Sequence, residues 1–320
     1  MFNNANASSP ASTGVHSIDH YALEVPSLEL AETFHAAFGL DVTHEAGGLA
    51  VRTTGGAHVW ARMLPGSRKR LAYLSFSAFA DDIDVLRAQI KAVGGRETSS
   101  LPTAVGGGVS GAGFWFHDPD GNLIQVKAAA RVSPSHRSSA APSARRALRG
   151  VADHASVLSV RPQRLSHVLL FTPDIDRAIA FYRDGLGLRY SDGSAGIVAF
   201  LHGRHGSDHH MVAFVQSSAK GWHHAAWDVP SVDDVGLGKM QMQAAGYAQG
   251  WGVGRHVLGS NYFHYVRDPW GSFCEYSADI DYVPPGQAWP AGDHPPEDAL
   301  YLWGPDVPPY FIVNTEAETG

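Results

Sequence analysis

The chain has 320 residues, 44% of them hydrophobic and 17% charged, with a formal net charge of −7. That length exceeds one small core and suits two domains of ordinary globular composition. The acidic balance, with no concentrated basic face, argues against nucleic-acid binding, and the single cysteine, Cys274, excludes an intrachain disulfide and fits a reducing compartment.

Taken in order, the chain opens with a polar stretch, 1–14, expected to be disordered. It has neither the basic nor the apolar part of a leader, and no later window is long and apolar enough to span a membrane, so a cytoplasmic location is expected. Ser17-Ile-Asp-His-Tyr-Ala-Leu-Glu-Val25 alternates as a strand does; Pro26-Ser27 leads into a helical spacing over 28–38 that stops at Gly39, and short strands follow through Trp60. A second round begins with the strand at Leu71-Ala-Tyr-Leu-Ser-Phe-Ser-Ala, continues with a helix over 81–93 stopped by Gly94-Gly95, and closes with a hairpin over 114–126. Residues 129–162 have the Ala-, Ser-, Arg- and Pro-rich composition of a linker, in which a short helix fits near 144–152.

The pattern then restarts. His167 in Leu165-Ser-His-Val-Leu-Leu-Phe falls over His20, Gly221-Trp-His-His repeats the unit at Leu71, and both halves close on Asp-Pro-x-Gly, at Asp118 and Asp268. Four copies of one strand–helix–strands unit result. The expected fold is α+β: four βαβββ modules paired into two domains, 15–128 and 163–285, each with an antiparallel sheet curled about a pocket. The Trp- and Pro-rich segment 286–320 cannot supply a central strand and is expected to wrap the second domain or lid its cavity.

Histidine is the anomaly in composition, with 18 residues, most of them in the second half. Asp268-Pro-Trp-Gly is turn composition between two aromatic-rich runs, and a loop over 269–271 would place Tyr265 opposite Glu275 on one face. A carboxylate pointing inward from an apolar strand calls for a partner or a metal. Comparing the two halves separates scaffold from chemistry. At Glu275 the first domain carries Gln125, around His224 it carries Leu74, and only His20 matches His167, so the first domain is expected to be metal-free. In the second domain His167, His224 and Glu275 lie on three different strands facing one cavity. Two histidines and one carboxylate leave open metal positions, the geometry of non-haem Fe(II) oxygenases; a closed zinc site would call for more thiolates than one cysteine provides.

His223 and His224 should alternate faces, so that one looks inward; His224 is chosen, and His210 is chosen over His209. His202, His205 and His264 are read as surface or loop residues, and Cys274 as a core thiol pointing away from Glu275.

These residues resemble type I extradiol ring-cleavage dioxygenases, the catechol 2,3-dioxygenase-like branch of the vicinal oxygen chelate superfamily. The resemblance runs from about residue 15 to 315. It is strongest at Gly254-Arg-His, followed nine residues on by Tyr265 and ten further by Glu275-Tyr276; His223-His224 and His210-Met-Val-Ala-Phe214 add to it. It implies Fe(II), with Mn(II) suited to the same ligands, held by His167, His224 and Glu275. It implies Tyr265 as a substrate-binding residue, His256 beside it and His210 as the catalytic acid–base. The implied partners are a catechol, simple or alkyl- or aryl-substituted, and O2, with a homo-oligomer common among such proteins. Two other readings remain open: a related metal enzyme (glyoxalase-like or hydroquinone-cleaving), which would not need His210, His256 and Tyr265 together, and a non-catalytic binder of aromatic ligands, which would lack the metal triad.

Overall fold

The computed structural model describes residues 13–45, 47–102, 113–137 and 159–317. The expected linker helix near 144–152 and most of the expected N-terminal tail lie outside them. Gly14, placed at the end of that tail, is buried, and His205 Nε2 donates to its carbonyl at 3.2 Å.

Each half is built twice over from a strand, a helix and further strands. The first half runs β1 (Ser17–Val25), α1 (Leu28–Ala37), β2 (Asp41–Glu45), β3 (Gly48–Arg52), β4 (Val59–Pro65), then β5 (Arg70–Ala78), α2 (Ile83–Ala92), β6 (Arg96–Thr98), β7 (Gly113–His117) and β8 (Leu123–Ala128). The second runs β9 (Arg164–Thr172), α3 (Ile175–Asp184), β10 (Leu188–Ser194), β11 (Val198–Gly203), a short β12 (Ser207–Asp208) and β13 (Val212–Gln216). It continues with β14 (Gly221–Asp228), α4 (Val232–Ala244), β15 (Gly250–Arg255), β16 (Tyr262–Arg267) and β17 (Phe273–Ala278), and the C-terminal segment adds β18 (Tyr282–Val283) and β19 (Gly292–Asp293).

One pairing rule builds both sheets. The first strands of the two modules run antiparallel at the centre, β1 with β5 and β9 with β14, and each carries its own module's last strand in parallel. The result is an eight-stranded sheet, a nine-stranded sheet closed at one edge by β19, and a small β12–β18 ladder. This is the expected α+β arrangement of four βαβββ modules.

Local chemistry explains the element ends. Ser27, Asp174 and Ser231 cap α1, α3 and α4 by accepting from the backbone N–H three residues on. In the β16–β17 turn the Asp268 carboxylate accepts from Trp270 N (2.8 Å) and Ser272 N (2.9 Å), and Gly271 takes φ +94°. Asp118 and Gly121 build the matching turn in the first half. The Asp268 turn sets the register Tyr265↔Glu275.

One apolar core runs through both halves. Phe38 stacks on Tyr276 with ring centroids 3.8 Å apart, and the Tyr276 hydroxyl donates to Phe38 O at 2.8 Å. The buried Lys69 ammonium reaches across to Trp222 O (3.1 Å) and Glu316 (3.2 Å).

Two histidines depart from the sequence expectation. His202 on β11 and His264 on β16 are 2% and 6% exposed, not surface residues, and His205 is half-buried. His202 shares the face of Phe200, which lines the cavity, whereas His264 lies on the face of β16 opposite Tyr265. Burial, with His209 and Arg189 nearby, lowers His202 to about 3; burial and Lys239 lower His264 to about 4. Both are therefore neutral in the fold, whereas the unfolded chain takes up protons below about 6.5. Stability is expected to fall as pH drops through that window, by about 2 kcal/mol per histidine between pH 7 and pH 5. Urea unfolding of chelator-treated protein at the two pH values checks this; equal midpoints would overturn it.

Candidate active site

His167, His224 and Glu275 are carried by β9, β14 and β17, three adjacent strands. Ala226 is the register partner of both His167 and Glu275, and His224 lies two residues back along β14 on the same face. The three residues each offer one ligand atom, and these atoms lie within 4.8 Å of one another. All three side chains are buried, Glu275 completely.

A β-bulge precedes each site histidine and delivers its partner. The register shifts leave Ser166 on β9 and His223 on β14 as extra residues, unpaired with the neighbouring strand. A bulged residue escapes strict alternation, so each turns toward the side chain that follows it. His167 Nδ1 lies 3.2 Å from Ser166 Oγ, and His224 Nδ1 lies 2.7 Å from His223 Nδ1. The expectation that only one of His223 and His224 faces inward is thus corrected: both line the cavity, and His224 alone joins the triad.

These contacts decide the protons. Ser166 donates to Asp208 at 2.8 Å, so its oxygen accepts from His167 Nδ1–H. His223 Nε2–H donates to the Phe311 carbonyl at 2.8 Å, so His223 Nδ1 accepts from His224 Nδ1–H. Burial, then the neighbouring histidines, hold His224 well below the usual imidazole range, and the ring is neutral. With Nδ1 as the donor in both rings, Nε2 is the atom that faces Glu275 Oε2, at 3.3 Å for His167 and 3.4 Å for His224. Glu275 Oε2 and His224 Nε2 have no hydrogen-bond partner. Buried acceptors that converge without partners favour a cation between them. The residues therefore fit a metal ion with open positions.

The first half shows the contrasting solution. Ser75 is the partner of both His20 and Gln125, as Ala226 is of His167 and Glu275. The residue matching His224 is therefore Tyr73, not Leu74, because the repeat's first residue carries no shared side chain to anchor the count. Here each acceptor meets a donor: the Tyr73 hydroxyl lies 2.9 Å from His20 Nε2, and Ser75 donates to Gln125 Oε1 at 2.8 Å. Asp19, bulged ahead of His20, accepts from its Nδ1 at 2.6 Å. Among the described residues, only His167, His224 and Glu275 form a group of this kind.

A cavity of about 170 Å³ opens onto the triad. His210 lines it, with its ring centroid 4.0 Å from that of His167 and 4.7 Å from that of Phe200. His209 lies behind, with its Nδ1 3.0 Å from His210 Nδ1 and its Nε2 2.7 Å from Asp192. On the opposite wall His256 Nδ1–H donates to the Leu300 carbonyl at 2.6 Å, so its Nε2 accepts from the Tyr265 hydroxyl at 2.9 Å. Burial and Glu275 push the Tyr265 phenol well above its ordinary pKa, and the group stays protonated. No lysine, arginine, aspartate or glutamate lines the cavity among the described residues; Phe200, Leu169, Val198 and Val215 do. The C-terminal segment closes one side through Leu300, Phe311 and Ile312.

The structure brings five of the six expected site residues, His167, His210, His224, His256 and Tyr265, to the wall of one cavity and sets the sixth, Glu275, against His167 and His224. It adds Asn261, missed in the sequence, which donates to Glu275 Oε1 at 3.0 Å and lines the cavity. A polar residue directly before the Tyr262 strand was its only signal.

The sequence pattern of the Glyoxalase/Bleomycin resistance protein/Dioxygenase superfamily matches residues 17–126 and 164–276, one span in each half. The chain belongs to that superfamily. Among members of this superfamily, the chain is 58% identical to Metapyrocatechase 2 of Cupriavidus necator over 307 residues, covering 95% of this chain and 93% of the relative. Two solved structures share the fold. The Mn(II)-bound glyoxalase from Novosphingobium aromaticivorans has a TM-score of 0.72 and 24% identity, covering 96% and 100% of the two chains. The halotolerant catechol dioxygenase BphC has a TM-score of 0.73 and 20% identity, covering 95% and 100%. A glyoxalase and a dioxygenase on one superfamily fold leave the chemistry to the site.

Proposed function

We propose that this protein is an extradiol dioxygenase that cleaves the ring of a catechol beside its two hydroxyls. Both atoms of O2 enter the product, a 2-hydroxymuconic-semialdehyde-type compound. The observation that carries this reading is the buried convergence of His167, His224 and Glu275 acceptors at the floor of an uncharged aromatic cavity that also holds His210, His256 and Tyr265. A binder of aromatic ligands has no use for such a cluster. The high identity to a metapyrocatechase over nearly the whole chain supports the same reading.

His167, His224 and Glu275 would hold Fe(II), and Mn(II) suits the same set. The bound ion supplies a Lewis-acid template for the catecholate and O2. The remaining work falls to side chains. The Tyr265 hydroxyl donates its hydrogen bond to His256 Nε2, so its oxygen is left to accept from a catechol hydroxyl. His256 is fixed in turn by the Leu300 carbonyl. His210 is neutral, since burial and the neighbouring histidines hold it well below the usual range. It can take a proton at Nε2 and return it to a leaving oxygen. Apolar side chains orient the ring and exclude water.

The lining also selects. An ionised ring substituent would enter without a counter-charge, at a cost of several kcal/mol. With Fe(II)-loaded protein, oxygen uptake and yellow product are expected with catechol, 3-methylcatechol and 2,3-dihydroxybiphenyl. A kcat/KM at least ~10-fold lower is expected for 3,4-dihydroxybenzoate. Folded, iron-loaded protein that consumes no oxygen with any catechol would overturn the assignment.

A further inference from the structure

Two His-His pairs each present their second histidine to the cavity, and both are wired alike. In each, the first histidine meets the second Nδ1 to Nδ1, at 3.0 Å for His209–His210 and 2.7 Å for His223–His224. In each, Nε2 of the first histidine is engaged by an acceptor that cannot give a proton: the Asp192 carboxylate for His209, the Phe311 carbonyl for His223. A ring that carries its proton at Nε2 leaves Nδ1 as an acceptor, so in this arrangement the second histidine donates from Nδ1 and presents Nε2 to the cavity. The far ends of both chains lie in the C-terminal segment. Phe311 belongs to it, and Asp192 is itself held by Trp289 Nε1 (3.1 Å), Gly292 N (2.9 Å) and His294 Nε2 (3.2 Å). His256, on the opposite wall, also ends on this segment, at Leu300 O.

We propose that His209 and His223 are positioning residues that hold His210 and His224 in the Nδ1–H tautomer, and that the segment carrying Trp289, Leu300 and Phe311 supplies the groups that anchor them. The segment is then a part of the site's wiring as well as its wall. For His224 the proposal rests on the metal reading of the triad.

Long-range 1H–15N spectra of metal-free protein labelled on histidine test the wiring directly. The expected forms are Nδ1–H for His210 and His224 and Nε2–H for His209 and His223; His224 found as Nε2–H would overturn the proposal. Co(II) titration, followed by its absorption, gives the consequence. In His223→Phe no acceptor faces His224, and Co(II) affinity is expected to fall about 10–100-fold. In His223→Asn the amide oxygen replaces Nδ1, and affinity should stay within about 3-fold of wild type. Equal losses in the two variants would show a merely structural role and overturn the proposal. If His223→Phe does not fold, the tautomer spectra and the Asn variant still decide. Hydrogen exchange of peptides spanning 308–313 is expected to slow on Co(II) binding in wild type and not in His223→Asn, since coupling between sites is reciprocal. An identical response in both would remove the segment from the wiring. A wild-type protein with the expected tautomers that takes up no Co(II) would overturn the metal reading and leave the positioning chain standing.

Discussion

Glu275→Ala is expected to abolish metal retention and, with it, oxygen uptake, while leaving a folded protein. The carboxylate is completely buried and its Oε1 is already engaged by Asn261, so Oε2 is the one oxygen left for an ion. Removing it takes away the only negative charge of the triad. What remains is two imidazoles on adjacent strands. Loss of metal affinity should exceed the ~10–100-fold typical of changes one step further from an ion. The fold should survive, because an unpaired buried carboxylate costs stability when the site is empty. Metal-free Glu275→Ala is therefore expected to melt at or above the temperature of metal-free wild type. Metal content after desalting and thermal unfolding with chelator are the measurements, and full iron retention would overturn the role.

His210→Phe is the second large effect. The ring stays in place through its contacts with Phe200 and His167, and phenylalanine preserves shape while removing both nitrogens. A positioned acid–base contributes about 10²–10⁴ to a rate. A fall of that size in kcat is expected, with KM for catechol and iron content close to wild type. The contrast with Glu275→Ala separates proton transfer from metal holding. A kcat within a fewfold of wild type would move the acid–base role elsewhere.

The fourfold repeat was legible because each module ends in its own turn or helix stop. The Asp268-Pro-Trp-Gly turn was specific enough to set Tyr265 against Glu275 without coordinates. The triad followed, since comparison of the two halves showed where a carboxylate had replaced an amide. The bulges were not legible. Alternation assumes one residue per step, and Asp19, Ser166 and His223 break that count just before His20, His167 and His224. Strict alternation therefore puts His223 on the face away from His224, whereas the bulge turns it toward the same cavity. His202 and His264 were read as exposed because a histidine carries no fixed preference for core or surface. Their strands decided. The Pro-rich C-terminal segment was rightly kept out of the central sheet, but the carbonyls it offers are backbone groups, and no side-chain pattern announces them.

The bulges carry a further consequence in terms of chain entropy. A partner one residue away is tethered to the group it orients, and bringing the two together closes no loop. Ser166 with His167, and His223 with His224, are thus contacts whose formation needs little beyond the local kink. The opposite ends of the same chains close loops of a different scale, reaching Asp208 and Phe311. Orientation of each ligand is consequently assembled from one near and one distant contribution. Lifting the C-terminal segment would release the Phe311 contact and leave His223 and His224 together, so that the segment reseats on histidines already in contact.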